Sequence, residues 1–274
     1  MTIRNVLSIA GSDPSGGAGI QADLKAFAAR GTYGMAVLTA LTAQNTQGVS
    51  AIHALPPDFV RAEIEAIFAD VRVDAIKIGM IANAEIAITV AEMLEAHAAD
   101  IPIVLDPVMV AKGGAPLLGE DANQAIIERL LPLAAVITPN LPEAAALLGE
   151  PEAETRDVMA EQARRLLVSG PGAVLIKGGH LEGADSPDVL ADAGGIAWFE
   201  GPRMKTKNTH GTGCTLSSAI AAELAKGHSM AEAVDVAKAY LAAAIAAADG
   251  LSVGNGHGPV HHFIGLWEEG VTRR

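Results

Sequence analysis

Cysteine is almost missing from this chain: Cys214 is the only one in 274 residues. That excludes an internal disulfide and any cysteine-rich metal motif. Aromatic residues make up only 3%, so the core is built mostly from Ala, Val, Leu and Ile. Charged residues, at 19%, fall below the usual quarter. Bases are the scarcer sign, with 19 Lys and Arg against 32 Asp and Glu and a formal net charge of −13. This balance argues against nucleic acid and anionic membranes as partners. It leaves a nucleotide substrate open, because salt screens exposed charges beyond about 8 Å and local donors then decide phosphate binding. The longest apolar run, near Tyr240–Ala248, is too short to span a bilayer. The opening MTIRNVLSIAGSD reads as the entry to a strand rather than a signal peptide. A soluble, cytoplasmic protein is expected.

Half of the sequence is hydrophobic, and it is arranged in alternation. Val6–Ala10, Met35–Thr42, Ala75–Gly79, Ile101–Asp106, Ala135–Thr138 and Ala173–Lys177 read as short buried strands. Ile20–Arg30, Pro57–Phe68, Ala84–His97, Asp121–Leu130, Pro142–Leu148 and Thr155–Val168 read as helices. Val189–Ala193 and Ile196–Glu200 flank Gly194-Gly195 as a hairpin, and two long helices follow, Gly213–Lys226 and Ser229–Ala248. The pattern predicts an α/β fold: one domain over residues 1–274, a mostly parallel sheet, helices on both faces.

Ligands of such sheets bind beyond the carboxyl ends of the strands, and polar residues gather there. Gly11-Ser12-Asp13, Gln44-Asn45, Asp106, Asn140 and Lys177-Gly178-Gly179 each follow or end a predicted strand. Asp106 offers a carboxylate suited to Mg²⁺. Asn140 opens Asn-Leu-Pro-Glu, which locally reads best as a helix cap; the functional alternative turns Asn140 and Glu143 toward a cation or phosphate. Lys177 is either a solvated rim residue or, with the two glycines, a phosphate ligand. Gln44 offers two donors and an acceptor, suited to a nitrogen heterocycle. Asp23, early in a helix, is either a dipole-compensating surface acid or a ligand acceptor. The loop Gly11–Gly19 fits neither the dinucleotide fingerprint nor the P-loop. No acid lies between Lys25 and Asp58 to hold a ribose, which disfavours a nicotinamide-dependent oxidoreductase. His257, His261 and His262 lack a metal-ligand spacing and read as loop residues.

Gly211-Thr212-Gly213-Cys214 is the most informative stretch. Small residues open a helix whose first amides have no intrahelical partner and attract an anion. A cysteine on that first turn is expected to have its thiolate favoured. The plainer alternative is a helix capped by Thr212 or Thr215 with a small core cysteine behind it.

Taken together these motifs resemble the ribokinase-like superfamily, and within it the hydroxymethylpyrimidine/phosphomethylpyrimidine kinases of thiamine biosynthesis. The resemblance runs from Ile9–Asp23 through Thr39–Thr46, Lys77–Met80, Leu105–Met109, Thr138–Glu143 and Lys177–His180 to Asn208–Thr215. It implies ATP-dependent phosphorylation of a hydroxymethylated pyrimidine and then of its monophosphate. Asp23 and Gln44 would hold the ring, with Gly11, Ala18 and Met80 lining the pocket. Asp106 and Glu143 would organise hydrated Mg²⁺, and a monovalent cation such as K⁺ is a further candidate. Lys177, Asn140 and Gly213 would meet the nucleotide. Gly211, Thr212 and Gly213 would form the anion hole, with Cys214 where sugar kinases of the superfamily carry an Asp base. Cys214 would act as base or only position the hydroxyl. A homodimer is implied, and the nearest rival activity is a pyridoxal kinase. The complete set Asp106, Glu143, Lys177 and Cys214 disfavours a silent ligand-binding regulator.

Overall fold

The computed structural model describes residues 2–109 and 119–267. Its centre is an eight-stranded sheet. The strands are β1 (Asn5–Ala10), β2 (Tyr33–Leu38), β5 (Ala75–Ile78), β6 (Ile103–Leu105), β7 (Val136–Ile137), β8 (Ala173–Lys177), β9 (Asp188–Asp192) and β10 (Gly195–Phe199). Their spatial order is β10-β9-β8-β7-β6-β5-β1-β2. The run from β2 to β8 is parallel, and β9 and β10 close one side as an antiparallel hairpin.

Alternate residues of each strand face opposite ways, and the two sets enter two cores. Leu7, Ile9, Ile76, Ile78, Leu105 and Ile176 pack under α2 (Pro57–Asp70), α3 (Ala84–His97), α5 (Leu141–Leu148) and α6 (Arg156–Val168). Val6, Ala75, Val104, Val136 and Leu175 pack under α1 (Gly19–Ala29), α7 (Thr212–Ala225) and α8 (Met230–Ala246). On that second face the period-two positions turn polar toward the carboxyl ends: Val6 is followed by Ser8, Ala75 by Lys77, Val104 by Asp106, Val136 by Thr138 and Leu175 by Lys177. A wholly apolar layer thus gives way to a buried polar one where α7 begins.

Two expected elements differ. The run Met35–Thr42 is not one strand. It breaks at Thr39, and β3 (Ala40–Asn45) pairs with β4 (Gly48–Ala54) in a separate two-stranded sheet. Thr39 makes the break firm: its amide bonds Ala10 O at 3.1 Å, and its hydroxyl donates to Met80 O at 2.7 Å. Gln44 therefore sits on a hairpin with a register shift beside it, not at the end of a sheet strand. The helix expected over Asp121–Leu130 is α-helical only in α4 (Glu120–Ala125), and continues as a π turn over Ile126–Leu130. Among the described residues no helix is long and apolar enough to cross a membrane.

Candidate active site

The amino end of α7 lies at the polar rim. Its N-cap is Gly211, at φ +75°, and no side chain caps the helix. The expected alternative of a threonine cap is not found. Thr215 instead donates its hydroxyl to Gly211 O at 2.8 Å, and its amide bonds the same oxygen at 2.9 Å. A planar trans peptide sets its N–H opposite its C=O. Tying the Gly211 carbonyl inward therefore aims the Thr212 amide outward. Behind Thr215 stands His262, Nε2 at 3.0 Å; burial pushes this imidazole down to about 4, so it is neutral at pH 7. His257 and His261 point elsewhere, one toward Lys207 O and the other against Trp267. The three histidines do not converge.

Below the helix end lies a lysine–carboxylate cluster. Lys177 Nζ is 2.9 Å from Asp106 Oδ1 and 3.8 Å from Glu143 Oε2. A β-carbon added to Gly213 would lie 3.2 Å from that ammonium and 3.5 Å from Asp106 Oδ2. Only a glycine leaves this space clear. Burial would raise the Asp106 carboxyl, but Lys177, Lys77 and the bond from Thr138 hold it below the usual range. Burial pushes Glu143 up to about 7; the charge on Asp106 adds to this, and Lys177 opposes it. Glu143 also closes a reciprocal cap with Asn140, each side chain bonding the other's amide at 2.8 Å. The side-chain oxygen of Asn140 is thus spent on starting α5, as the local reading favoured. Gly178, after Lys177, is held by Asp188, whose other oxygen takes the Lys238 ammonium at 2.6 Å.

Asp23 does not face a ligand. It is fully buried and gathers Lys77 Nζ at 2.9 and 3.0 Å, Ser8 Oγ at 2.6 Å and Ser218 Oγ at 2.7 Å. A buried carboxylate needs such partners, and with them satisfied it serves as an internal strut joining α1, β1, β5 and α7. The expected role as a ring ligand is corrected on that ground. Lys77 and Ser8 were legible only as members of a motif and a strand; their polar pairing needed the fold.

Cys214 stands between the strut and the lysine–carboxylate cluster. Its thiolate is not favoured, contrary to the helix-end argument. Burial pushes the thiol up to about 11, Lys77 and the Gly19 amide offset part of that, and Asp23 and Asp106 reinforce it.

The remaining residues form a second group around the glycine-rich loop. Gly11 packs under the Met80 methyl, since an added β-carbon would lie 2.7 Å from it. Ala18 caps α1, its amide donated to Asp13 Oδ2 at 2.8 Å. Gly211 fits directly against this loop: a β-carbon there would sit 1.7 Å from Gly17 O. Asp13 and His210, absent from the expected set, are central here. Asp13 also accepts the Ser15 and Gly17 amides, and His210 Nε2 lies 2.7 Å from Asp13 Oδ2 and 3.3 Å from Gln44 Nε2. Burial works against the Asp13 charge, but the His210 and Ser15 bonds prevail and hold its carboxyl down at about 2. An acid beside glycines in a loop was the available signal.

A mostly parallel sheet with an uncapped, glycine-opened helix end over a lysine and two carboxylates is the layout of a ribokinase-like kinase. The phosphomethylpyrimidine kinase family matches over residues 13–261. The hydroxymethylpyrimidine/phosphomethylpyrimidine kinase of Salmonella typhimurium is 56% identical over 263 residues, covering 96% of this chain and 98% of its own. The phosphomethylpyrimidine kinase of Clostridium difficile superposes with a TM-score of 0.77 at 44% identity, covering 87% and 97% of the two chains. The pyridoxal kinase of Staphylococcus aureus, in complex with AMP-PCP and pyridoxal, superposes at 0.88 with 36% identity, covering 97% and 96%. The chain belongs to the phosphomethylpyrimidine kinase family.

Proposed function

We propose that the chain transfers the γ-phosphoryl group of ATP to the primary alcohol of hydroxymethylpyrimidine, and then a second phosphoryl group to the monophosphate, in thiamine biosynthesis. One observation carries this reading: the open end of α7 meets Lys177 and Asp106 across Gly213. Phosphoryl transfer asks for charge stabilisation and alignment rather than covalent chemistry. The amides of Thr212, Gly213 and Cys214 supply donors, and the Lys177 ammonium, held between two carboxylates, supplies the point charge.

Among the described residues no three His, Cys, Asp or Glu side chains form a metal cage. Mg²⁺ does not require one: it keeps several waters and binds through one or two carboxylates plus substrate phosphates. Asp106 and Glu143 fit that donor set and would hold it. When bound, the ion would neutralise charge on the transferring phosphate. Glu143, proton-bearing in much of the free protein at neutral pH, would lose its proton to bind it.

Gln44 and Met80, beside Gly11 and Ala18, would receive the ring, and its hydroxymethyl group would reach Cys214. With its pKa near 11 the thiol is a poor base in the free protein. Cys214 then positions the hydroxyl, whose oxygen bonds to the γ-phosphorus as the bond to the ADP oxygen breaks; its proton passes late, to an oxygen of the transferred phosphoryl group.

A coupled ADP-release assay with hydroxymethylpyrimidine, its monophosphate and pyridoxal tests this. Turnover on both pyrimidines, with the alcohol preferred over pyridoxal and activity lost in Lys177→Met, is the expected result. A preference for pyridoxal would reassign the substrate.

A further inference from the structure

The chain beyond α8 returns to the amino end of α7, where Pro259 bridges to His210. Gly258 O accepts the His210 amide at 3.0 Å, and Pro259 packs on Gly17, where an added β-carbon would lie 3.2 Å from Pro259 Cβ. His262 then enters behind the first turn of α7. Its backbone is fixed there, since its carbonyl oxygen takes the Tyr240 hydroxyl at 2.6 Å. Both His262 and Thr215 are buried, so the Thr215 hydroxyl finds its partners within the protein.

Two contacts meet at that hydroxyl. Its oxygen lies 2.8 Å from Gly211 O and 3.0 Å from His262 Nε2. The hydroxyl carries one hydrogen, and a carbonyl oxygen carries none. Two oxygens at 2.8 Å need a hydrogen between them, so the hydroxyl gives its own to Gly211. The contact with His262 then needs a second hydrogen, and only Nε2 can bring it. The ring is neutral at pH 7 and has one hydrogen to place, which this count puts on Nε2 rather than Nδ1. That hydrogen is spent once, on Thr215. With the opposite tautomer the bare nitrogen would draw the hydroxyl hydrogen away and set two oxygens against each other.

We propose that His262 is a positioning residue for the phosphate-binding end of α7: its Nε2–H turns the Thr215 hydroxyl onto Gly211 O and so holds the Gly211–Thr212 peptide with its N–H toward the transferring phosphate. The proposal rests on the reading of this helix end as the phosphate site. Gly211 O already takes the Thr215 amide at 2.9 Å, and the hydroxyl fills its second lone pair. The second tie matters because Gly211 stands at φ +75° on a helix with no side-chain cap, and glycine has more backbone freedom to lose than any other residue. Donors fixed before charge develops cost no reorganisation when it does. His262 touches no reacting atom; it acts through Thr215.

Two measurements on the full chain test it. First, ¹⁵N spectroscopy of the imidazole side chains at pH 7 should show His262 protonated at Nε2. A ring protonated only at Nδ1 overturns the proposal, and this readout needs neither a variant nor turnover. Second, ADP release with hydroxymethylpyrimidine is measured on folded protein. His262→Leu should lower kcat by about tenfold, the worth of one hydrogen bond. KM for both substrates should stay unchanged, because the lost interaction is made in the transition state. His262→Gln, which can still donate, should recover most of the loss. Thr215→Val should lose as much as His262→Leu, and the double variant no more than either, because both act through one hydroxyl. An unchanged kcat in His262→Leu, a loss confined to KM, equal losses in His262→Gln and His262→Leu, or additive losses in the double variant each overturn it. A parent enzyme that releases no ADP with hydroxymethylpyrimidine sinks the proposed function instead, and the tautomer still judges the hydrogen-bond relay.

Discussion

Replacing Gly213 by Ala adds one methyl group to the first turn of α7. The residue is already helical, and Ala is preferred over Gly in helix interiors by up to about 1 kcal/mol, less in a first turn. The methyl carbon would stand 3.2 Å from Lys177 Nζ and 3.5 Å from Asp106 Oδ2. The ammonium is the end of a flexible chain, so it can yield by a few tenths of an ångström at small cost while keeping its bond to Asp106. Folding should therefore survive, with a melting temperature near that of the parent. Catalysis should not. A phosphate oxygen must come within about 2.7–3.1 Å of its donors, and loss of one donor of this kind costs about 10²–10³ in kcat, or roughly 3–4 kcal/mol. The methyl group occupies the space that oxygen would enter. Thermal denaturation and ADP release on the same preparation separate the two effects. A folded Gly213→Ala enzyme within about twofold of parental kcat would refute placing the phosphate here, since the expected loss is far larger. Gly211→Ala is the contrasting control: at φ +75° and 1.7 Å from Gly17 O, it should fail by destabilisation.

Lys77→Met leaves the buried Asp23 carboxylate with hydroxyl partners only. It should cost about 3–5 kcal/mol in urea unfolding, and the double change Lys77→Met with Asp23→Leu should recover most of it; a loss below about 1 kcal/mol would contradict a paired strut. Glu143 has its folded pKa raised to about 7 from 4.5. The folded state then binds the extra proton, so this group's contribution is full at pH below 4.5 and is lost as pH rises through 7. Glu143→Gln, which keeps the reciprocal cap, should gain in melting temperature relative to the parent between pH 5 and 8; a difference constant with pH would argue against a raised carboxyl. Alkylation requires the thiolate, so iodoacetamide should modify Cys214 slowly at pH 7 and about tenfold faster per pH unit toward 11. A plateau below pH 9 would restore the activated thiolate.

The sheet and its helices were legible because their apolar periods are long and clean: Ala84–His97 coincides with α3 end to end. The clustering of Asp106, Lys177 and Gly213 was also legible, because each sits where a strand ends or a helix starts, positions that topology alone brings together. The hairpin β3–β4 was not. Its strand face is exposed and its turn, Thr46-Gln47, carries no glycine signal at its centre. Asp23 was misread because an acid early in a helix usually compensates the dipole or meets solvent. Its true partner, Lys77, lies on a fully buried strand whose other residues are apolar. The state of Cys214 shows the limit of reasoning from one element. A helix end lowers a thiol's pKa, but burial between two carboxylates outweighs it, and those carboxylates come from α1 and from the loop after β6.

The hairpin that carries Gln44 hangs outside the main sheet, joined to it through Thr39. With Gln44 as the proposed ring contact, chemistry and selectivity would be mounted on separate parts. A lineage could trade one vitamin precursor for another by redrafting about fifteen residues of this appendage while leaving the phosphate machinery alone, a size typical of an exchangeable surface insertion. The same division makes residues 40–54 the segment to graft between pyrimidine and pyridine kinases.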